Sequence, residues 1–339
     1  MTPGRAVTDR TRSRSVAIDS VRVLGVLAVV IGHFYSGPDG PPRLVDAAIY
    51  SWQVPIFFFL TGYLWKRGRT VRFETTARAR SLLVPYFAWM TIFGVPLAIV
   101  ATLASGAAPW DFIGTTLWGG GVVRGSFAPY WFLPVLFFAA VTMRALERLP
   151  PWVVWSLAAL GLLAAYTWSD ILALSPLNVL VTVPCLAFVL LGQLARQFEP
   201  RVRMRGIFGI VLLVGGLSTF LLGLVAPLDM KLGNFGTPAL SVLVSAVLCT
   251  GLVWVAKAVL DGRPVPGAGL ITELAVVSVV VLLTHTFAFI PPLALGFPGL
   301  VVLAFAVCAS WSLGLLIHRT PASMILAGVP ALVRNKRLP

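Results

Sequence analysis

Residues 16–35 read VAIDSVRVLGVLAVVIGHFY. Twenty residues in a helix cross a hydrocarbon core of ~30 Å, yet this stretch carries Asp19, Arg22 and His33 along its length. Apolar stretches of similar size recur at 47–65, 82–104, 128–146, 152–169, 176–195, 206–226, 238–259, 270–290 and 297–317. Gly37-Pro38, Pro150-Pro151, Pro200, Gly233, Gly262 and Pro291-Pro292 punctuate them. The expected fold is therefore all-α: a polytopic bundle of about ten transmembrane helices. The longest connection, 105–127, holds Gly119-Gly120-Gly121 and a short interfacial helix near Trp110–Trp118.

Composition agrees. The 339 residues are 58% hydrophobic and 11% charged, with a mean hydropathy of +0.92; a soluble domain carries roughly 25% charged residues. No stretch is polar enough to fold separately in water. The expected division is a basic tail over 1–15, one membrane domain over 16–318 and a second tail over 319–339. The segment after the basic tail is too long for a cleaved leader and lacks a cleavage site of small residues.

The net charge of +14 sets orientation rather than binding nucleic acid. With ten spans, 23 of the 26 Lys and Arg residues fall on one side, leaving Arg43, Arg124 and Lys231 on the other. Basic loops stay in the cytoplasm, so both termini are expected there, in a plasma (inner) membrane. Cys185, Cys249 and Cys308 lie in apolar segments and form neither a disulfide framework nor a metal site.

Ionisable groups inside spans are costly and mark function. Eleven residues separate Arg22 from His33, three helical turns plus about 20°, so both share one face some ~16 Å apart along the axis. Asp19 sits one turn before Arg22 and can pair with it. Arg22 alone could instead snorkel to the interface, and His33 could be a satisfied histidine near the headgroups. His285, in Leu283-Thr284-His285, lies ~22 Å into its span from the basic side, the depth of His33. Two histidines without a third ligand make a poor metal site and suit proton transfer. His318 follows the last span beside Arg319 and is expected at the interface.

The connection between the second and third apolar stretches holds Lys66, Arg67, Arg69, Arg72, Arg78 and Arg80. Orientation accounts for part of that charge. A phosphate-bearing ligand accounts for the rest, because arginine binds phosphate bidentately; anionic lipid headgroups are the competing partner.

Together these features resemble the acyltransferase 3 family, membrane-bound O-acyltransferases akin to fucose and polysaccharide O-acetylases. The resemblance is carried by Arg22, ten residues, then His33; by Val54-Pro55-Ile56-Phe57-Phe58-Phe59-Leu60-Thr61-Gly62-Tyr63-Leu64; by Leu82-Leu83-Val84-Pro85-Tyr86 after a basic stretch; by Tyr130-Trp131-Phe132-Leu133; and by the late His285. The chain departs from the family pattern in having Arg-x-Arg (Arg78, Arg80) before Pro85. The family's Arg-x-x-Arg spacing occurs upstream, at Arg69 and Arg72.

The resemblance implies transfer of an acyl group, usually acetyl from acetyl-CoA, to a hydroxyl of a carbohydrate or glycosylated acceptor in a bacterial membrane. His33 would be general base or transient acyl carrier, with His285 orienting it or serving the leaving thiolate. Arg22 and Asp19 would complete the site, and Arg78, Arg80, Arg69 and Arg72 would hold the phosphates of acyl-CoA. No metal is implied. The rival reading is a proton-coupled secondary transporter using Asp19, Arg22, His33 and His285 as a relay. Comparing 1–170 with 171–339 shows no inverted repeat of the kind many transporters carry.

Overall fold

The computed structural model describes residues 14–36, 42–106 and 109–332. The basic N-terminal stretch Arg5, Arg10 and Arg12, the Gly37-Pro38 turn, and Arg334, Lys336 and Arg337 lie outside the described residues. Those described form helices and connections without a β-strand. In chain order the principal helices are α1 (Val16–Tyr35), α2 (Arg43–Tyr63), α3 (Val71–Ala104), α4 (Pro109–Trp118), α5 (Gly125–Leu146), α6 (Pro151–Thr167), α7 (Pro176–Arg201), α8 (Arg205–Leu221), α9 (Leu240–Leu260), α10 (Ala268–Val276), α11 (Ser278–Ala294) and α12 (Gly299–His318).

Seven of these are long and apolar enough to cross a membrane: α1, α2, α3, α5, α7, α9 and α12. Helices α10 and α11 meet at 70° across Val277 and count as an eighth if they form one broken span. The shorter apolar helices α6 and α8 fall where the fifth and seventh spans are expected. Large apolar side chains point outward around the bundle, among them Ile207, Val211, Val214, Leu103 and Leu300, as lipid-facing positions require.

The basic stretch before Pro85 is largely helical, not a loop. Thr70 accepts the Phe73 N–H at 3.1 Å and caps α3. The helix then runs unbroken through Arg78 and Arg80 into the apolar segment. It widens to a π-turn over Ala79–Leu83, immediately before Pro85, whose ring cannot be accommodated over a regular preceding turn. Arg72, Arg78 and Arg80 thus occupy fixed positions on a helix. A π-turn at Asp46–Tyr50 likewise precedes Pro55 in α2.

Helix α1 is the axis of the bundle, packed against α9, α10, α11 and α12. Its first turn is capped by Ser15 and holds Asp19, favourable at the positive end of the helix dipole. Helices α2 and α7 approach closely because two glycines face each other's partners: a Cβ at Gly62 would overlap the Val189 carbonyl, and one at Gly192 would overlap the Phe59 carbonyl. Small residues at such crossings let backbones touch, where packing replaces the hydrophobic effect.

His318 ends α12 beside Arg319. It is buried, and the chain folds back over it so that the Leu332 N–H donates to its carbonyl at 2.8 Å.

Gly62→Val is expected to lower the thermal midpoint of the detergent-purified protein sharply or to prevent its recovery. Overpacking costs ~1–3 kcal/mol or more where the obstacle is backbone. Gly215→Ala, at a position facing open space, is expected to leave the midpoint within a degree or two. Equal behaviour of the two variants would show that the α2–α7 crossing does not limit stability.

Candidate active site

The charged residues that α1, α2, α3 and α5 bring to one end of the bundle enclose a cavity of about 310 Å³. Its lining holds five cations (Arg22, Lys66, Arg69, Arg78 and Arg144) and one carboxylate, Glu74. Glu74, 2% exposed, accepts from Arg78 Nε at 2.9 Å and from Arg144 Nη2 at 3.2 Å. Arg144, 3% exposed, also donates to the Lys66 carbonyl at 2.8 Å, pairs with Glu147, and stacks 4.0 Å over the Trp65 ring. Arg78 is therefore held through Nε, which leaves its terminal nitrogens for a ligand. Even with Asp19 paired to Arg22 and Glu147 to Arg144, this end keeps a surplus of positive charge.

Arg22 reaches this cavity from α1. Its Nη1 lies 3.3 Å from Asp19 Oδ1, and Arg14 grips the same carboxylate at 3.1 and 3.2 Å. The expected Asp19–Arg22 pair is thus present, with Arg14 as a third member. Asp19 is 1% exposed and is not among the residues lining the cavity, so it holds Arg22 from behind. Of the four arginines expected to bind phosphates, Arg69 and Arg78 line the cavity. Arg72 and Arg80 are exposed and lie outside its lining. Lys66, one of the six cations of the basic connection, enters it too, as does Arg144, which in the sequence reads only as an orienting cation. Arg144-x-x-Glu147 at the end of an apolar stretch was the available signal.

The two histidines meet farther along α1. His33 and His285 have ring centroids 5.3 Å apart at 46°. His285 is fully buried, and its Nδ1 sits 2.8 Å from the Val281 carbonyl. A carbonyl only accepts, so Nδ1 carries the hydrogen and Nε2 is left as the acceptor. Among the described residues, that Nε2 has no partner. Helix α11 is fixed at this height by two cross-ties: Tyr130 Oη donates to the Leu283 carbonyl at 2.9 Å, and Thr286 Oγ1 to the Ser126 carbonyl at 2.6 Å.

The end of the histidine pair away from the arginine cavity is polar. Ser36 donates to the Gly32 carbonyl at 2.9 Å, Tyr50 approaches the same carbonyl at 3.3 Å, and the two hydroxyls bond each other. The connection 222–239 closes over this end. Lys231 donates from Nζ to the Val123 carbonyl at 2.5 Å, and its charge is near enough to interact with His33. Asn178, buried and in a left-handed conformation, clamps two connections together. Its Nδ2 donates to the Lys231 carbonyl at 2.9 Å and its Oδ1 accepts from Gly121 N–H at 2.7 Å.

Between the arginine cavity and the histidines α1 presents Gly25, Val26 and Val29, all buried. The Phe57 ring lies where a Gly25 side chain would be, 3.1 Å from the Cβ position, and packs on Phe132 with centroids 5.2 Å apart. Phe57 also lines the cavity, and with Ile56, equally close to Gly25, it fills the space between the two halves of the site.

Compared with known proteins, the chain matches the acyltransferase domain family over residues 15–319. The match spans the lining of the arginine cavity and both histidines. Neither the curated proteins nor the solved structures give a match. An arginine-rich cavity at one end of α1, a histidine pair at the other and a family match over both place the chain in the acyltransferase 3 family, as a multi-pass membrane protein whose apolar helices fit a membrane-embedded acyltransferase.

Proposed function

We propose that the protein transfers an acyl group, acetyl above all, from acyl-CoA to a hydroxyl of a carbohydrate or glycosylated acceptor. The observation that carries this reading is the placement of Arg22 and His33 on one helix, Arg22 in a cationic cavity and His33 against His285. Polyanionic CoA suits the cavity, with Arg78, Arg69, Lys66 and Arg22 on its phosphates. The thioester would reach His33 along α1 past Phe57.

His33 acts as general base. Its ring accepts the acceptor's hydroxyl proton as the oxygen attacks the thioester carbonyl; the tetrahedral intermediate then collapses, breaking the C–S bond and releasing the CoA thiolate, which takes up a proton. A base positioned in this way contributes 10²–10⁴-fold. His285 orients it. The free His285 Nε2 would accept from one His33 nitrogen once the neighbouring rings turn into hydrogen-bond range, leaving the other His33 nitrogen as the base. The same groups could pass protons in a transporter; family membership sets acyl transfer ahead of that reading.

In the same proposal the seven long helices, the bent α10–α11 pair and the 17-residue helices α6 and α8 make ten crossings, since ~17 residues is the short limit for a span. The arginine cavity then faces the cytoplasm with both termini, in a bacterial inner membrane.

Acetyl-CoA turnover by the purified protein, assayed in detergent with a panel of sugars, is expected in wild type. It should fall at least 100-fold in His33→Ala while acetyl-CoA affinity stays the same. Failure of folded wild-type protein to bind acetyl-CoA would overturn the transferase reading.

Arg78→Gln is expected to raise the acetyl-CoA KM by roughly 10–100-fold, the loss of a charged hydrogen bond of about 1.5–3 kcal/mol, while Arg72→Gln and Arg80→Gln leave it within twofold. Equal losses in all three would mean that diffuse positive charge, not the cavity, holds the cofactor.

A further inference from the structure

Orientation by charge concentrates cations on the side of the arginine cavity; three of the chain's 26 fall on the other side in the ten-crossing arrangement. Two of them adjoin the connection that carries the third: Arg124 follows Val123, whose carbonyl Lys231 bonds, and Arg43 Nη2 lies against Gly223. Lys231 is in electrostatic contact with His33. Arg124 is exposed on the adjoining segment and interacts electrostatically with Lys231. Arg43 lines a neighbouring cavity of about 410 Å³ together with Asp46 and Thr237.

Across the bundle, Asp19, Glu74 and Glu199 each hold two or three cations in ion pairs. Among the described residues, none of Arg43, Arg124 and Lys231 has a carboxylate within 4.0 Å. Asp229 and Asp46 are near enough to act on this region electrostatically, but neither closes an ion pair. The one bond from Lys231 Nζ uses a single N–H, leaving two for a ligand.

We propose that the acceptor is an acidic saccharide, bearing a carboxylate or phosphate, and that Lys231 holds its anionic group beside His33 while Arg124 and Arg43 line its approach. This rests on the acyl-transfer reading and names its acceptor class. A neutral saccharide would leave a partly buried ammonium next to the base with only Asp229, beyond ion-pair distance, to oppose its charge. An acidic one supplies that charge and, by fixing one end of the sugar, sets which hydroxyl meets the histidine.

The binding is pH-sensitive. Burial pulls Lys231 down to about 8; Asp229 on its own connection opposes the shift and Arg124 reinforces it. Lys231 is thus charged below that pH and loses its charge above it. His33, Asp46 and Tyr50 also surround the site, whereas an arginine at 231 would stay charged throughout.

The test uses the full chain in phosphatidylcholine nanodiscs, with tetragalacturonate and its methyl ester as probes that differ only in charge. Isothermal titration at pH 7 and low salt is expected to show at least tenfold tighter binding of the acid. Lys231→Met should abolish that preference, Arg124→Gln weaken it and Lys231→Arg retain it. Between pH 7.5 and 9 the preference should fade in wild type and persist in Lys231→Arg. Equal binding of both probes, no binding of the acid, or a preference that survives Lys231→Met would overturn the proposal. So would loss of the preference in nanodiscs containing phosphatidylglycerol, which would identify lipid headgroups as the occupant. Acetyl-CoA binding measured on the same samples separates the two levels: its absence overturns acyl transfer itself, and its presence without the acid preference overturns only the acceptor class.

Discussion

A charge removed from water inside a bilayer must find its partner within the protein, and three carboxylates organise how this chain meets that demand. Asp19 collects Arg14 and Arg22, Glu74 collects Arg78 and Arg144, and Glu199 collects Arg196, Arg205 and Lys257 while accepting from Tyr63 at 2.5 Å. Each carboxylate is almost fully buried; Glu74 and Glu199 tie together segments distant in sequence, while Asp19 works within its own stretch. At the Asp19 and Glu74 nodes the paired arginines Arg22, Arg78 and Arg144 are held at the lining of the cavity that Phe57 also borders. Buried ion pairs add little net stability against apolar alternatives; their contribution here is to fix where these arginines point.

The histidine pair breaks that pattern. Its neighbours satisfy their own polar groups locally: Thr284 donates to the Val280 carbonyl, Ser36 to Gly32, Thr286 to Ser126. His285 satisfies Nδ1 in the same way and leaves Nε2 without a partner. An unpaired buried acceptor costs about 1–3 kcal/mol, so a free ring nitrogen facing a second histidine is the kind of local deficit that proton transfer requires. The bend at Val277 contributes, because it changes the direction of the α10–α11 span two turns before His285.

The sequence disclosed what helical periodicity controls. The spacing of Arg22 and His33 placed both on one stripe, and counting residues from the basic side put His285 at the height of His33. Both inferences need only a rise per residue and a direction of crossing. What it concealed depends on contacts between helices. Arg144 looked like an orienting charge because nothing local ties it to Glu74, 70 residues away. The helical course of 71–80 was hidden by its charge density, although Thr70 marks its cap. The bend at Val277 has neither proline nor glycine to announce it. Lys231 stood out only as a minority charge until Val123 and Asn178 showed where the connection that carries it is fastened.

The filled space between the two ends of the site follows from the same constraints. In the acyl-transfer proposal a cavity of about 310 Å³ would take only part of a CoA molecule, and a water-filled channel running on to His33 would leave the membrane open to small solutes. Packing Ile56 and Phe57 against Gly25 fills that route. Because position 25 has no side chain of its own, the filling there comes from α2, and passage of a slender arm would require those α2 side chains, rather than α1, to move. A β-branched residue at 25 would close the route from both helices and require the helices themselves to part. The glycine thus keeps Arg22 and His33 on one rigid axis while leaving the barrier between them to side chains that can move.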